Sequence, residues 1–229
     1  MPTRTIISYD DTANDRDALM LGRVLAEAGS ELTLAYVRHT IQPEREREQL
    51  EEHEADELLE RGAQLLGDLD VERRVVVSAS TAEGLKSLAE QEQADVLVFG
   101  SDYRTAAGHV APQHSTQTLL EGSPAAIAIA PAAYSTAHVP NIGTIGVLAQ
   151  PGDDAAIETA RELADGLGAT LTRDEPPFDL LVVGSRSEAP EGRVMITSHA
   201  QHEIENSTIP ILVIPRGVAV RFGAITAAR

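Results

Sequence analysis

The sequence has no cysteine and no tryptophan, and only 3% of its 229 residues are aromatic. Without Cys there is no disulfide, no thiolate nucleophile and no thiolate metal ligand, a composition that suits a reducing compartment. No apolar run reaches the ~18–20 residues of a membrane span. The opening Met1, Pro2, Thr3 and Arg4 lack the apolar stretch of a signal peptide. These absences lead to the expectation of a cytoplasmic protein with no membrane partner. Basic residues are also scarce: 18 Lys and Arg face 36 Asp and Glu, for a formal net charge of −18. Such a surface repels polyanions, so nucleic acid is not expected as a partner. Screening over about 8 Å leaves room for a small, locally positive pocket.

What is present is the composition of a globular α/β protein, 42% hydrophobic and 24% charged. Its most informative feature is an internal recurrence. The run Ala94 to Ser101 (ADVLVFGS) returns as Phe178 to Ser185 (FDLLVVGS), and Ala125 to Pro131 (AAIAIAP) returns as Ile209 to Pro215 (IPILVIP). Both recur at an offset of 84 residues, and Gln117 matches Gln201 between them. Two buried-strand patterns and a helix held in one register, without gaps, indicate duplication.

Upstream of the first copy, Thr3–Tyr9, Leu32–Val37 and Val71–Ser78 read as strands. Helices are expected over the segment after Asp10–Asp15, over Glu44–Leu66 and over Thr81–Gln93. In Glu44–Leu66 the residues Leu50, Leu58, Leu59, Leu65 and Leu66 mark the apolar side, and the charge run is a solvated face. Strands alternating with helices predict a parallel sheet with right-handed crossovers and a ligand crevice at the carboxyl ends of the strands. Function is therefore sought after Tyr9, Val37 and Phe99. Residues 132–141 form a small-residue linker, after which strands at Ile142–Ala149 and Ala169–Thr172 and a helix over Asp154–Leu167 restart the pattern. Pro176 and Pro177 lead directly into the second copy. That second unit lacks a long helix, a strand and a short helix, and at this size it needs the first unit to complete a core. Val218–Phe222 alternates like an edge strand.

The order and spacing of these elements resemble the universal stress protein family, of the adenine-nucleotide-binding HUP type, from Thr3 to Pro215. The resemblance implies two fused Rossmann-like α/β units with parallel sheets, a first domain at 1–131 and a truncated second at 142–217, pairing through their last strands. It also implies a nucleotide crevice. Asp10 matches the family's Asp after its first strand, Val37 the Val ending its second, and Gly100 the first glycine of a G-x-x-G, nine-residue, G-[ST] motif. Glycines there let backbone N–H groups approach phosphates, and the hydroxyl adds a donor at a helix start. Here Tyr103 replaces the second glycine, and Gln113 and His114 replace the final pair. A ring at Tyr103 is expected where phosphate approaches, and Gln113 where a glycine conformation is wanted. Arg104, His114 and Ser115 offer compensating donors; Ser115 and Thr116 also read simply as capping residues, and Arg104 as a solvated loop residue.

Two readings stay open on these residues. In one, the chain is a stress-response regulatory scaffold whose nucleotide site has degenerated and which acts through a protein partner or another small ligand. In the other, ATP or AMP binds a modified crevice formed by Asp10, Val37, Gly100, Arg104, His114 and Ser115. The second unit keeps Gly184 and Ser198 but lacks the Asp after its first strand, so it reads as a structural partner in an intrachain pseudo-dimer, with a homodimer left open. No HxGH pair, SGGxDS loop, nucleophile elbow or CxxC is present, and no residue is assigned a catalytic or metal-binding role.

Overall fold

A computed structural model describes residues 2–39, 45–136, 141–172 and 177–223, with the side chains of 45–51 excepted. Glu44, the Leu50 side chain, linker residues 137–140 and Pro176 lie outside that description. The first unit runs β1 (Thr3–Ser8), α1 (Ala13–Glu27), β2 (Ser30–Arg38), α2 (Arg45–Leu66), β3 (Val71–Val77), α3 (Thr81–Glu92), β4 (Val96–Gly100), α4 (His114–Leu119) and β5 (Ala126–Ala130). The second runs β6 (Thr144–Leu148), α5 (Ala155–Leu167), β7 (Thr170–Thr172), β8 (Leu180–Gly184), α6 (Ser198–Glu205) and β9 (Ile211–Ile214).

The nine strands among the described residues form one sheet in the order β3-β2-β1-β4-β5-β9-β8-β6-β7. Neighbours are parallel except at the centre, where β5 meets β9 antiparallel through Ile127↔Val213, Ala128↔Leu212 and Ile129↔Ile211. Ala128 and Leu212, which match at the 84-residue offset, face each other, and the pairs on either side exchange their matching residues, so Ala128 and Leu212 mark a local two-fold. The expected pairing of last strands is thus met, and each unit covers the apolar edge of the other.

Strand alternation builds a core on both faces of the sheet. Ile7, Val96 and Val98 pack with Leu21, Leu25 and Leu59 on the side of α1 and α2. Ile6, Leu97 and Phe99 pack with Leu85 and Leu119 on the side of α3 and α4. Each layer continues without interruption into the second unit, through Ile145, Leu163 and Val182 on one face and Val183, Ala200 and Ile204 on the other. A fully buried Leu or Ile contributes roughly 1.5–3 kcal/mol. Sharing both layers lets the short second unit reach a burial it could not reach alone.

The recurrence extends to individual hydrogen bonds. Buried Ser101 donates its hydroxyl to the Ala130 carbonyl at 2.7 Å and accepts from the Ala111 N–H; Ser185 donates to Ile214 at 2.7 Å and accepts from Met195. Asp95 accepts from the Arg4 N–H and Asp179 from the Thr144 N–H, both at 2.8 Å. Two bonds cross the join reciprocally, from the Val110 N–H to the Ser207 carbonyl and from the Val194 N–H to the Ser123 carbonyl. The glycine-serine signature therefore serves first to staple the loop after β4, and its counterpart after β8, to the end of the neighbouring strand.

The tail departs from expectation. Residues 218–223 form no strand. Their alternation is nonetheless used: Val220 and Phe222 are buried in the core of the α1 face, the Val220 N–H donates to the Thr159 hydroxyl at 2.9 Å, and the Thr3 hydroxyl donates to the Arg221 carbonyl. The segment packs across element ends and bonds to single groups, where no strand offers it a ladder.

Candidate functional site

In a β3-β2-β1-β4-β5 arrangement the strand order reverses between β1 and β4, and the crevice lies beyond their carboxyl ends. The turn after β1 is governed by carboxylates. Thr12 caps α1, and buried Asp15, three residues on, accepts from the N–H groups of Asp10 and Thr12 and from the Thr12 hydroxyl at 2.8–2.9 Å. Burial raises the Asp15 carboxyl against these bonds. Asp11 takes the left-handed conformation, φ 60°, which Asp tolerates better than most residues. It is held between the Tyr9 hydroxyl and Arg61, and these bonds, Tyr9 first, lower its pKa despite some loss of hydration. Burial, then the bond to Asp11, raises Tyr9. Asp10 reaches solvent at the mouth, yet its carboxyl is pushed up to about 6, by loss of hydration first and the Asp15 charge second, with His39 opposing.

The end of β4 is already covered. A Cβ added at Gly100 would stand 2.0 Å from the Asn14 carbonyl oxygen, so the glycine lets α1 approach β4. Asn14 then donates its side-chain amide to the Ser101 carbonyl at 2.5 Å. The Gln113 side-chain amide reaches the Gly100 and Ser101 carbonyls from the other side, at 3.4 Å each. Two amides thus converge where the strand order reverses.

Each expected site residue has a definite place. Asp10 and Gly100 stand at the ends of β1 and β4. Val37, near the end of β2, is buried, its Cγ1 lying 2.9 Å from where a Cβ on Gly84 would stand. Arg104 lies over the Tyr103 ring, 4.9 Å from its centroid. His114 and Ser115 are the first two residues of α4, one exposed and one half-buried. Among the described residues no hydrogen bond or ion pair joins any two of these six. None of them lines any of five cavities of 480–700 Å³ found on the molecule.

Three details correct the sequence reading. The Tyr103 ring is 70% exposed and projects to solvent instead of plugging the crevice. Gln113 sits at φ −64° and ψ 163°, an extended conformation open to any residue, so no glycine geometry is lost there. The N-cap of α4 is Gln113, without a side-chain cap bond, whereas Ser115 and Thr116 lie inside the helix; among the described residues the buried Thr116 hydroxyl has no partner. Sequence reasoning missed Asn14, because its role depends on how closely α1 approaches β4. The Thr12-Asp15 cap carried a readable signature, Thr followed three residues later by a carboxylate.

A model of the universal stress protein family matches residues 1–131. The chain belongs to that family. No curated protein sequence is similar enough to match. Among solved structures, a universal stress protein from Archaeoglobus fulgidus DSM 4304 is 13% identical with a TM-score of 0.68, covering 93% of this chain and 98% of that one. A functionally unknown protein from Pseudomonas aeruginosa PAO1 is 12% identical with a TM-score of 0.62, covering 94% and 93%. At these identities the likeness is one of fold, and it extends over both units of this universal stress protein.

Proposed function

We propose that the protein is a tandem universal stress protein, its second domain shortened, that works as a non-catalytic cytoplasmic scaffold with a degenerate nucleotide crevice. The observation that carries this reading is the convergence of the Asn14 and Gln113 amides on the Ser101 carbonyl, at the position where a phosphate would enter. Electrostatics points the same way. Asp10, Asp11 and Asp15 crowd the mouth, and the one arginine in the loop after β4, Arg104, stacks on Tyr103. A polyphosphate entering here meets carboxylates before it meets donors. The matching hydrogen bonds at the 84-residue offset support a duplicated domain, 1–131 and 142–217, in which the second unit closes the β5 edge.

Adenine-nucleotide binding by the first unit remains the competing reading, favoured by family membership and by Asp10 and Val37 at their expected strand ends. The two are separated by isothermal titration of ATP and AMP into the protein. The scaffold reading expects no heat of binding at millimolar nucleotide; saturable binding that Gly100 or Asp10 substitutions abolish would support the competitor.

A further inference from the structure

A cavity of about 480 Å³ opens between the units, on the face of the sheet that carries α4 and α6, and its lining falls into repeat pairs. Gln117, Leu120 and Glu121 of the first unit face Gln201, Ile204 and Glu205 of the second, each pair at the 84-residue offset. The symmetry breaks at Arg186, Met195 and Ser198, and of these Arg186 carries the charge. Arg186, which follows Ser185, stands where the first unit has Asp102, and Arg186 lines the cavity while Asp102 does not. Among the described residues its Nε is buried with no partner, and its Nη2 reaches the Met195 sulfur alone, at 3.6 Å. A guanidinium with a buried, unbonded edge is costly unless something accepts from it. The carboxylates around the cavity leave it alone: Glu205 accepts from the Gln201 amide at 2.9 Å, and Glu121 makes no ion pair among the described residues. Buried Leu120 and Ile204, with half-buried Met195 and Ile196, supply an apolar floor.

We propose that this inter-unit cavity binds a hydrophobic α-amino acid, its carboxylate on the Arg186 guanidinium, its ammonium toward Glu121 and Glu205, and its side chain on Leu120 and Ile204. Three features together specify that class. One half-buried cation whose Nε is buried asks for an anion, a bidentate carboxylate above all. Two acceptor carboxylates at the rim disfavour a purely anionic ligand and suit an ammonium. The volume falls within the roughly 300–1,000 Å³ usual for small-molecule sites. The cavity shares no lining residue with Asp10, Gly100 or the other residues expected at that crevice, so this assignment stands whichever reading of the crevice holds.

The test is thermal shift and calorimetry of the full chain with leucine, isoleucine, methionine, valine and phenylalanine as separate probes. The N-acetyl and methyl-ester derivatives of each probe serve as single-charge controls. At least one free amino acid is expected to raise the melting temperature and to bind with one site per chain, both derivatives failing. Arg186→Met is expected to weaken binding by on the order of tenfold or more, and Arg186→Lys less than that. Without ligand, Arg186→Met should melt no lower than the parent, because the guanidinium edge it removes is unpaired. The proposal is overturned if none of the five probes binds, if a derivative with one charge binds as well as its parent amino acid, or if Arg186→Met leaves affinity unchanged. A ligand-free Arg186→Met that melts well below the parent would overturn the premise of an unpaired cation.

Discussion

At the residue scale, the most consequential chemistry is a carboxylate placed where it does not belong energetically. Asp10 ionises at about 6 in the folded chain, against an ordinary value of 3.8. The folded state therefore holds the proton more tightly than the unfolded chain does, and stability from this group falls as pH rises through 6 and returns as pH drops toward 4. Asp10→Asn removes that dependence. Its melting temperature is expected to exceed the parent's at about pH 7.5, with the gap narrowing steadily as pH is lowered through 6. A gap independent of pH would assign Asp10 an ordinary ionisation. Asp17 shows the opposite use of a buried carboxylate. It is 2% exposed and fully engaged, accepting from the Ala133 N–H and from the Ser135 N–H and hydroxyl at 2.7–2.8 Å, and so ties the segment after β5 to α1.

At the scale of elements, periodicity carried most of the fold. The strands ADVLVFGS and FDLLVVGS, and AAIAIAP and IPILVIP, announce buried parallel strands because both of their sides are apolar, and the single offset between them ties the two units into one pattern. The candidate site was less legible. A motif states which residue follows a strand but not what packs on it, and one of the two amides on the Ser101 carbonyl comes from α1, 87 residues away in the chain. The serines were readable as a motif but not as staples, since the carbonyls they bind lie 29 residues further along. The tail misled because alternation reports burial on one side, and strand pairing requires a free neighbour as well. Equivalence of the two loops makes a quantitative prediction. Ser101→Ala and Ser185→Ala each leave a buried carbonyl and N–H without their partner, and each is expected to cost about 1–3 kcal/mol by chemical denaturation. Similar losses would bear out the duplication in energetic form; a negligible cost at Ser185 would show the second loop to be held by other contacts.

At the scale of the molecule, a nine-stranded sheet with one antiparallel join makes two incomplete halves into a single core. The first unit ends on β5, whose five residues are all buried when β9 lies beside it. Removing residues 137–229 should expose that apolar edge, and the remaining chain is expected to self-associate, as read by light scattering across a concentration series. A truncated chain that stays monomeric would contradict the edge-covering role of the second unit. On the proposed reading, the protein's own side chains close the crevice between β1 and β4. The most direct measurement of that closure is calorimetric titration of ATP into the parent and into the combined variant Tyr103→Gly, Gln113→Gly, His114→Ser. No binding is expected for the parent, and measurable binding once the Gln113 amide is withdrawn and the glycines are restored. Saturable ATP binding by the parent, lost on substituting Asp10, would contradict that reading.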